Sequence, residues 1–167
     1  MTLAEGIRTA VEYETRVRDT YRKAAERSSS EVGKRVFRIL AKEEEGHIQY
    51  LKSKRAEWTN TGRITAGQLE TVVPSRQVID GGIRKLERHL PIAAPETETA
   101  LLEKALKVEI ETSNFYRRMV DEIPLEKEIF SRFLEIEKGH QILVQAELDY
   151  LKNTGFYFDF QEFSLEH

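Results

Sequence analysis

Several features that would point to particular functions are missing from this sequence of 167 residues. It contains no cysteine, which excludes disulfides, thiolate catalysis and iron sites built from cysteine ligands. It has no run of 18 apolar residues and no signal-like N-terminus, so we expect a soluble cytoplasmic protein without a membrane partner. Basic and acidic residues nearly balance, at 26 and 29. This balance offers no field for a polyanion, and we expect no nucleic-acid partner.

What the chain does contain is typical of a helical protein. It is 40% hydrophobic and 33% charged, and Glu, Lys, Leu and Ala are abundant, which favours long amphipathic helices. The length is that of one domain, and we predict a single domain over 1–163. Residues 165–167, Leu-Glu-His, resemble the start of a purification tag and carry no functional weight.

Apolar residues recur at spacings of three and four along most of the chain, which predicts amphipathic helices. The first stripe runs Leu3, Ile7, Ala10, Glu14, Val17, Tyr21. Serines 28–30 end the first helix and offer hydroxyl caps to the second. The four predicted long helices cover about 2–27, 30–59, 96–122 and 125–153.

The pattern dissolves between the second and third long helices, in a crossover over 60–95 that contains most of the prolines and several glycines. We predict one short helix around 75–89 within it. A connection of this length allows the helices on either side to run parallel, as an up-down-down-up four-helix bundle requires. The aromatic tail 156–163 is too apolar to stay free, and we expect it to pack on the bundle or on a partner subunit.

Glutamates and histidines interrupt the apolar stripes where core residues belong, in the same order in both halves of the chain. Each half carries a glutamate followed seven residues later by a tyrosine, and then a Glu-x-x-His motif whose two side chains share one helix face. The first half supplies Glu14, Tyr21, Glu44 and His47, and the second supplies Glu109, Tyr116, Glu137 and His140. We interpret the chain as one half-site written twice.

Four buried carboxylates would repel one another and are costly to bury without compensation. Two divalent cations, balanced by four carboxylates and two neutral imidazoles, remove this cost, and such a ligand set inside a bundle is that of a two-metal carboxylate centre. Oxygen and imidazole ligands suit iron, manganese or zinc. Either Glu44 and Glu137, or Glu14 and Glu109, could bridge the metals.

On these repeated motifs, and on the ending Gly155-Phe-Tyr-Phe-Asp-Phe-Gln-Glu-Phe163, the sequence resembles the rubrerythrin-like branch of the ferritin-like superfamily over nearly its whole length. The resemblance implies a ferritin-like bundle, two irons, reaction with hydrogen peroxide or oxygen, and a homodimer. The metal ligands that it implies are Glu14, Glu44, His47, Glu109, Glu137 and His140.

The chain departs from that family in two ways. It lacks the rubredoxin domain, so any electron donor is a separate protein or a small reductant. It also has Thr112 where rubrerythrins carry an extra glutamate one turn after the third-helix ligand. Glu147, seven residues after His140, is an alternative seventh ligand by its helical phase.

The leading hypothesis is a di-iron oxidoreductase that oxidises ferrous iron with peroxide or oxygen, with Tyr21 and Tyr116 orienting the glutamates. The alternatives are a non-catalytic iron-binding or iron-delivery protein and a helical interaction protein. Five further residues are not expected to take part in the chemistry. We predict that Glu43 and Glu45 are solvated, that His89 is a surface residue, and that Tyr50 and Trp58 serve packing.

Overall fold

The computed structural model describes residues 1–65, 67–86, 90–124 and 126–164. Within these ranges the protein contains six helices and no strand, which confirms the predicted all-α class. The helices are α1 (Leu3–Arg27), α2 (Glu31–Thr61), α3 (Arg76–Lys85), α4 (Glu96–Glu122), α5 (Lys127–Thr154) and α6 (Phe160–Ser164).

The bounds of the four long helices differ from the predicted ranges by at most two residues at any end. The short crossover helix, predicted for 75–89, ends earlier, at Lys85, because Leu86 already has an extended backbone with φ −65° and ψ 142°. His89 and residues 165–167 lie outside the described residues. The surface position of His89 and the tag-like character of 165–167 therefore stay predictions.

Local sequence signals set the ends of the long helices. Thr2 and Glu5 form a capping box, in which the Thr2 hydroxyl accepts from the Glu5 N–H and the Glu5 carboxylate accepts from the Thr2 N–H. Ser30 caps α2 by accepting from the Gly33 N–H at 3.1 Å. Gly62 and Gly155 follow the last residues of α2 and α5 and cap them. Their φ values of 69° and 84° lie in the left-handed region, which favours glycine.

The four long helices bury a polar layer between two apolar clusters. α1 packs along α2, α4 along α5, and α1 against α4. One cluster contains the first halves of α2 and α4 with the second halves of α1 and α5, including Phe37 and Leu102. The other contains the opposite halves, including Ile7, Met119 and Phe130. The glutamates and histidines of the repeated motifs occupy the level between these clusters.

The aromatic tail packs on its own chain, which is the first of the two positions predicted for it. Tyr157, Phe158, Phe160 and Phe163 are buried in the cluster that also receives α3. α6 contacts α3 through this tail, and a Cβ on Gly82 would overlap the Phe163 ring. Tyr50 and Trp58 pack, half-buried, against the other apolar cluster.

Candidate metal centre

Each of the four long helices contributes to the polar layer at the middle of its length. The helical repeat turns these residues inward on the same stripe as their apolar neighbours, as the sequence predicts. All six predicted ligand residues are at most 1% exposed and lie together: Glu14 from α1, Glu44 and His47 from α2, Glu109 from α4, Glu137 and His140 from α5.

The six side chains form two groups, each of which could hold a metal ion. The first group is Glu14, Glu44, His47 and Glu137, and the second is Glu44, Glu109, Glu137 and His140. Within each group the ligand atoms all lie within 4.8 Å of one another. Because Glu44 and Glu137 belong to both groups, they are the carboxylates positioned between the two sites.

Both histidines direct Nδ1 toward the carboxylates. His47 Nδ1 lies 3.2 Å from Glu44 Oε2 and 3.2 Å from Glu137 Oε1, and 3.6 Å from Glu14 Oε2. His140 Nδ1 lies 2.7 Å from Glu44 Oε1 and 3.3 Å from Glu109 Oε1. The two imidazole rings stack with centroids 5.9 Å apart. Each histidine therefore presents one nitrogen to one of the two groups.

The protonation of the cluster shows the cost of holding these charges together. Burial, followed by the charge of Glu14, raises the pKa of Glu44 to about 8. Burial and the charges of Glu109 and Glu14 raise the pKa of Glu137 well above its usual value. Burial alone would lower the pKa of His47, but the charge of Glu44 together with the contacts to Glu137 and Glu14 outweighs it and raises that pKa. Protons therefore occupy part of the cluster in the protein alone, and cations that bind there displace them.

Unpartnered oxygen atoms test whether the cluster fits metal ions. At least one carboxylate oxygen of each of the four glutamates, and both of Glu137, makes no hydrogen bond of normal geometry among the described residues, although Nδ1 of His47 and of His140 lie close to some of them. Buried polar atoms are rarely left in this state. Carboxylate oxygens and imidazole nitrogens are also the ligands that iron, manganese and zinc accept. The residues present thus fit divalent cations.

The two tyrosines connect the two halves of the site crosswise. Tyr21, from the first half, donates its hydroxyl to Glu109 Oε1 at 2.5 Å, and Tyr116, from the second half, donates to Glu14 Oε1 at 2.7 Å. Both tyrosines are fully buried. Each hydroxyl holds one oxygen of a glutamate and leaves the other oxygen without a hydrogen-bond partner, as expected of residues that orient ligands.

The prediction that Glu43 is solvated was wrong. Its side chain is 8% exposed and accepts a hydrogen bond from Nε2 of His140, the ring nitrogen that faces away from the cluster. It also accepts from the Thr71 hydroxyl and the Val72 N–H in the crossover. Helical phase placed Glu43 off the buried stripe, but the crossover covers it. Glu45, the other flanking glutamate, forms a partly exposed ion pair with Arg18.

Thr112, which departs from the family pattern, and Glu147, the alternative seventh ligand, both lie outside the metal groups. Thr112 donates its hydroxyl to the Val108 carbonyl at 2.8 Å within α4. Glu147 is fully buried, as its phase indicates, but its Oε1 accepts from the Phe158 N–H at 2.9 Å. The tail, and not a metal group, therefore accounts for the orientation of Glu147, and it belongs to neither group.

The fold and the site together define an all-helical protein with a buried Glu/His cluster that could hold metal ions. Among the residues described, no helix is long and apolar enough to cross a membrane. Comparisons with protein-family models, curated proteins and solved structures produced no match.

Proposed function

We propose that this chain is a ferritin-like di-iron protein of the rubrerythrin type, which reduces hydrogen peroxide or oxygen with electrons from ferrous iron. The observation that carries the proposal is the pair of adjoining ligand groups that share Glu44 and Glu137, with unpartnered oxygens on all four glutamates. A structural cluster would have its oxygens satisfied by protein donors.

The arrangement of the helices supports the ferritin-like topology. α1 and α5 each begin in the cluster that contains Ile7 and Phe130 and end in the other, whereas α2 and α4 run in the opposite sense. These directions support the proposed up-down-down-up order, in which the crossover would join two parallel helices, α2 and α4. Bundles of this type build metal sites from inward-facing residues at mid-length.

In the proposed centre, Glu14 and His47 would hold one metal ion, Glu109 and His140 would hold the other, and Glu44 and Glu137, which belong to both groups, would serve both. Ferrous iron held there would supply two electrons per pair of ions, which, with two protons, is what the reduction of one hydrogen peroxide to two waters requires. Tyr21 and Tyr116 hold Glu109 and Glu14 in orientation by hydrogen bonds. The apolar clusters on both sides keep bulk water from the polar layer, which strengthens every charge interaction within it.

The reaction needs partners that this chain does not contain. Without cysteine there is no built-in rubredoxin-type donor, so electrons come from a separate protein or a small reductant. Because Thr112 donates its hydroxyl to the Val108 carbonyl and offers no carboxylate, the six ligand residues alone would have to accommodate the change of charge on oxidation. We also propose a homodimer, from the family resemblance alone.

The test is metal content followed by turnover. Protein purified without chelators is analysed for iron, manganese and zinc, and is then loaded anaerobically with ferrous iron and mixed with peroxide. We expect about two irons per chain and peroxide consumption faster than by the same concentration of free iron. His47→Ala/His140→Ala is the inactive comparison, and Glu45→Gln, which alters a partly exposed glutamate on the same helix, is the matched control.

The second candidate is a non-catalytic iron-binding or iron-delivery protein, which the absence of cysteine from these residues and the presence of Thr112 favour. It predicts oxidation of two irons once per chain and no cycling with any reductant offered. The third alternative is a helical interaction protein that would bind a partner through the aromatic tail and the crossover. It is weakened because the tail is buried on its own bundle.

A further inference from the structure

The two histidines of the cluster differ in what their outward ring nitrogens contact. His140 Nε2 donates to Glu43, whose carboxylate also accepts from the Thr71 hydroxyl at 2.8 Å and from the Val72 N–H at 2.6 Å. His47 Nε2 is buried and has no hydrogen-bond partner among the described residues. The repeated motifs are therefore equivalent in ligands but not in the support behind those ligands.

The sequence explains this difference between the two histidines. Glu43 immediately precedes Glu44, and the residue in the corresponding position of the second half, before Glu137, is Ile136. Ile136 is 2% exposed, and its apolar side chain can accept no hydrogen bond from an imidazole. The crossover adds to the asymmetry, because two of its polar groups fix the Glu43 carboxylate against the His140 ring.

A carboxylate behind a ligating histidine has two effects on metal binding. It accepts from one ring N–H, which fixes the tautomer with the lone pair on the other nitrogen, and it raises the basicity of that nitrogen. In His140 the nitrogen left for a metal is Nδ1, which faces Glu44, Glu109 and Glu137. His47 has neither benefit, since nothing described in the structure fixes its Nε2.

From this contact we infer that Glu43 is a positioning residue for His140 and makes the His140 side of the centre the tighter of two unequal metal sites. The inference depends on the proposed metal centre and goes beyond it, since equal ligand sets alone give two equal sites. The metal beside His47 is then the first to be lost and the last to be loaded.

The experiment is a titration of the metal-free protein with Zn²⁺, followed by two-bond ¹H–¹⁵N spectra of its histidines. These spectra report which ring nitrogen carries the proton and which binds metal, and spectra of His47→Gln and His140→Gln assign the two signals. We expect His140 to take the Nε2–H, Nδ1-bound form at the first equivalent of Zn²⁺, and His47 to respond only at the second.

The variant Glu43→Gln removes the ionised acceptor from behind His140 and keeps the size of the side chain. We expect it to weaken the first binding step about 10- to 100-fold, the usual effect of losing such a partner, and to abolish the loading order. Glu45→Gln, the matched control, should retain both. Circular dichroism checks the fold of each variant, and Glu43→Asp, which withdraws the carboxylate by one methylene, should weaken the order in the same direction if Glu43→Gln fails to fold.

Three results would overturn the inference: simultaneous loading of both histidines in the wild type, loading of His47 first, or identical titrations of Glu43→Gln and Glu45→Gln. In those cases two Zn²⁺ still bind per chain, and the proposed centre survives. If neither histidine of the wild type responds to Zn²⁺, the proposed function fails, and this inference fails with it.

Discussion

Glu98 and Glu137 are both buried carboxylates, 2% and 0% exposed, but the protein treats them in opposite ways. Glu98 accepts hydrogen bonds from Ser28, Ser29 and Tyr157, which serve both of its oxygens. Neither oxygen of Glu137 makes a hydrogen bond of normal geometry among the described residues, and the nearest nitrogens are Nδ1 of His47 at 3.2 Å and Nδ1 of His140 at 3.6 Å. Glu98 is thus a carboxylate whose hydrogen bonds hold the fold together, whereas the oxygens of Glu137 are available to bind cations.

Their pKa values follow the same division. Burial alone would raise the pKa of Glu98, but the hydrogen bonds from Tyr157, Ser29 and Ser28 together outweigh it and hold the pKa below its usual value. Burial and the neighbouring glutamates raise the pKa of Glu137 without such compensation. A buried glutamate satisfied by protein donors is structural, whereas one left without donors among other carboxylates indicates a site for cations.

The largest expected effect comes from Glu137→Gln. This change removes a residue shared by both metal groups, so metal affinity should fall more than 100-fold, beyond the usual loss for an outer partner. The metal-free protein should be at least as stable as the wild type, because one source of carboxylate repulsion is gone. Elemental analysis and thermal unfolding in chelator measure the two effects. Retention of two metals by the variant would contradict the division drawn here.

Glu98→Ala should give the converse result. Losing the carboxylate leaves Ser28, Ser29 and Tyr157 without their buried acceptor, which should lower the free energy of unfolding by about 3 kcal/mol. For a protein of this size that corresponds to a fall in Tm of about 6–12 °C. Two metals per chain should still bind. A loss of metal with unchanged stability would show that the two carboxylates have been assigned to the wrong classes.

The same contrast explains which parts of the site the sequence could predict. The six ligand residues interrupt regular apolar stripes, so helical phase alone places them in the core, and their repetition in both halves distinguishes them from chance. Glu147 lies on the same stripe, and its burial follows from phase. That the tail N–H of Phe158 supplies its partner could not be read from the helix that carries it.

Glu43 and Glu98 were missed for physical reasons that differ. Glu43 lies about 100° around the helix from Glu44, on a face that would be solvated if the crossover, which has no periodic pattern, did not cover it. Glu98 lies in the first turn of α4, where an acidic residue is expected for the helix dipole alone. The signal for its partner was the serine run 28–30, of which only Ser30 caps α2.

Two tyrosine variants test the difference between the two kinds of buried glutamate by removing one oxygen atom each. Tyr21→Phe and Tyr157→Phe each remove one hydroxyl that donates to a buried glutamate, Glu109 or Glu98. We expect Tyr21→Phe to weaken metal binding about tenfold, because Glu109 loses its orientation. Tyr157→Phe should instead lower the free energy of unfolding by about 1–2 kcal/mol and leave metal binding unchanged. Equal effects of the two variants on metal binding would argue against an orienting role for Tyr21.

Glu147 is intermediate between the two classes and gives the smallest expected effect. One of its oxygens accepts from the Phe158 N–H, while the other has no partner among the described residues. Burial, followed by the charge of Asp159, raises its pKa well above the ordinary 4.5. The folded protein therefore holds a proton here that the unfolded chain releases, so the contribution of Glu147 to stability is full below about pH 4.5 and is lost as the pH rises toward the raised value.

Glu147→Gln keeps an acceptor for the Phe158 N–H and cannot ionise, so it should remove this pH dependence. In the metal-free protein, we expect the variant and the wild type to have similar free energies of unfolding near pH 4 and the variant to be more stable by about 1 kcal/mol at pH 8. Denaturant unfolding at the two pH values measures the difference, and Glu103→Gln, at a half-exposed position on α4, is the control. A difference that does not grow with pH would mean that Glu147 is ionised in the fold, and its second oxygen would then belong with those of Glu137, as an atom that awaits a cation.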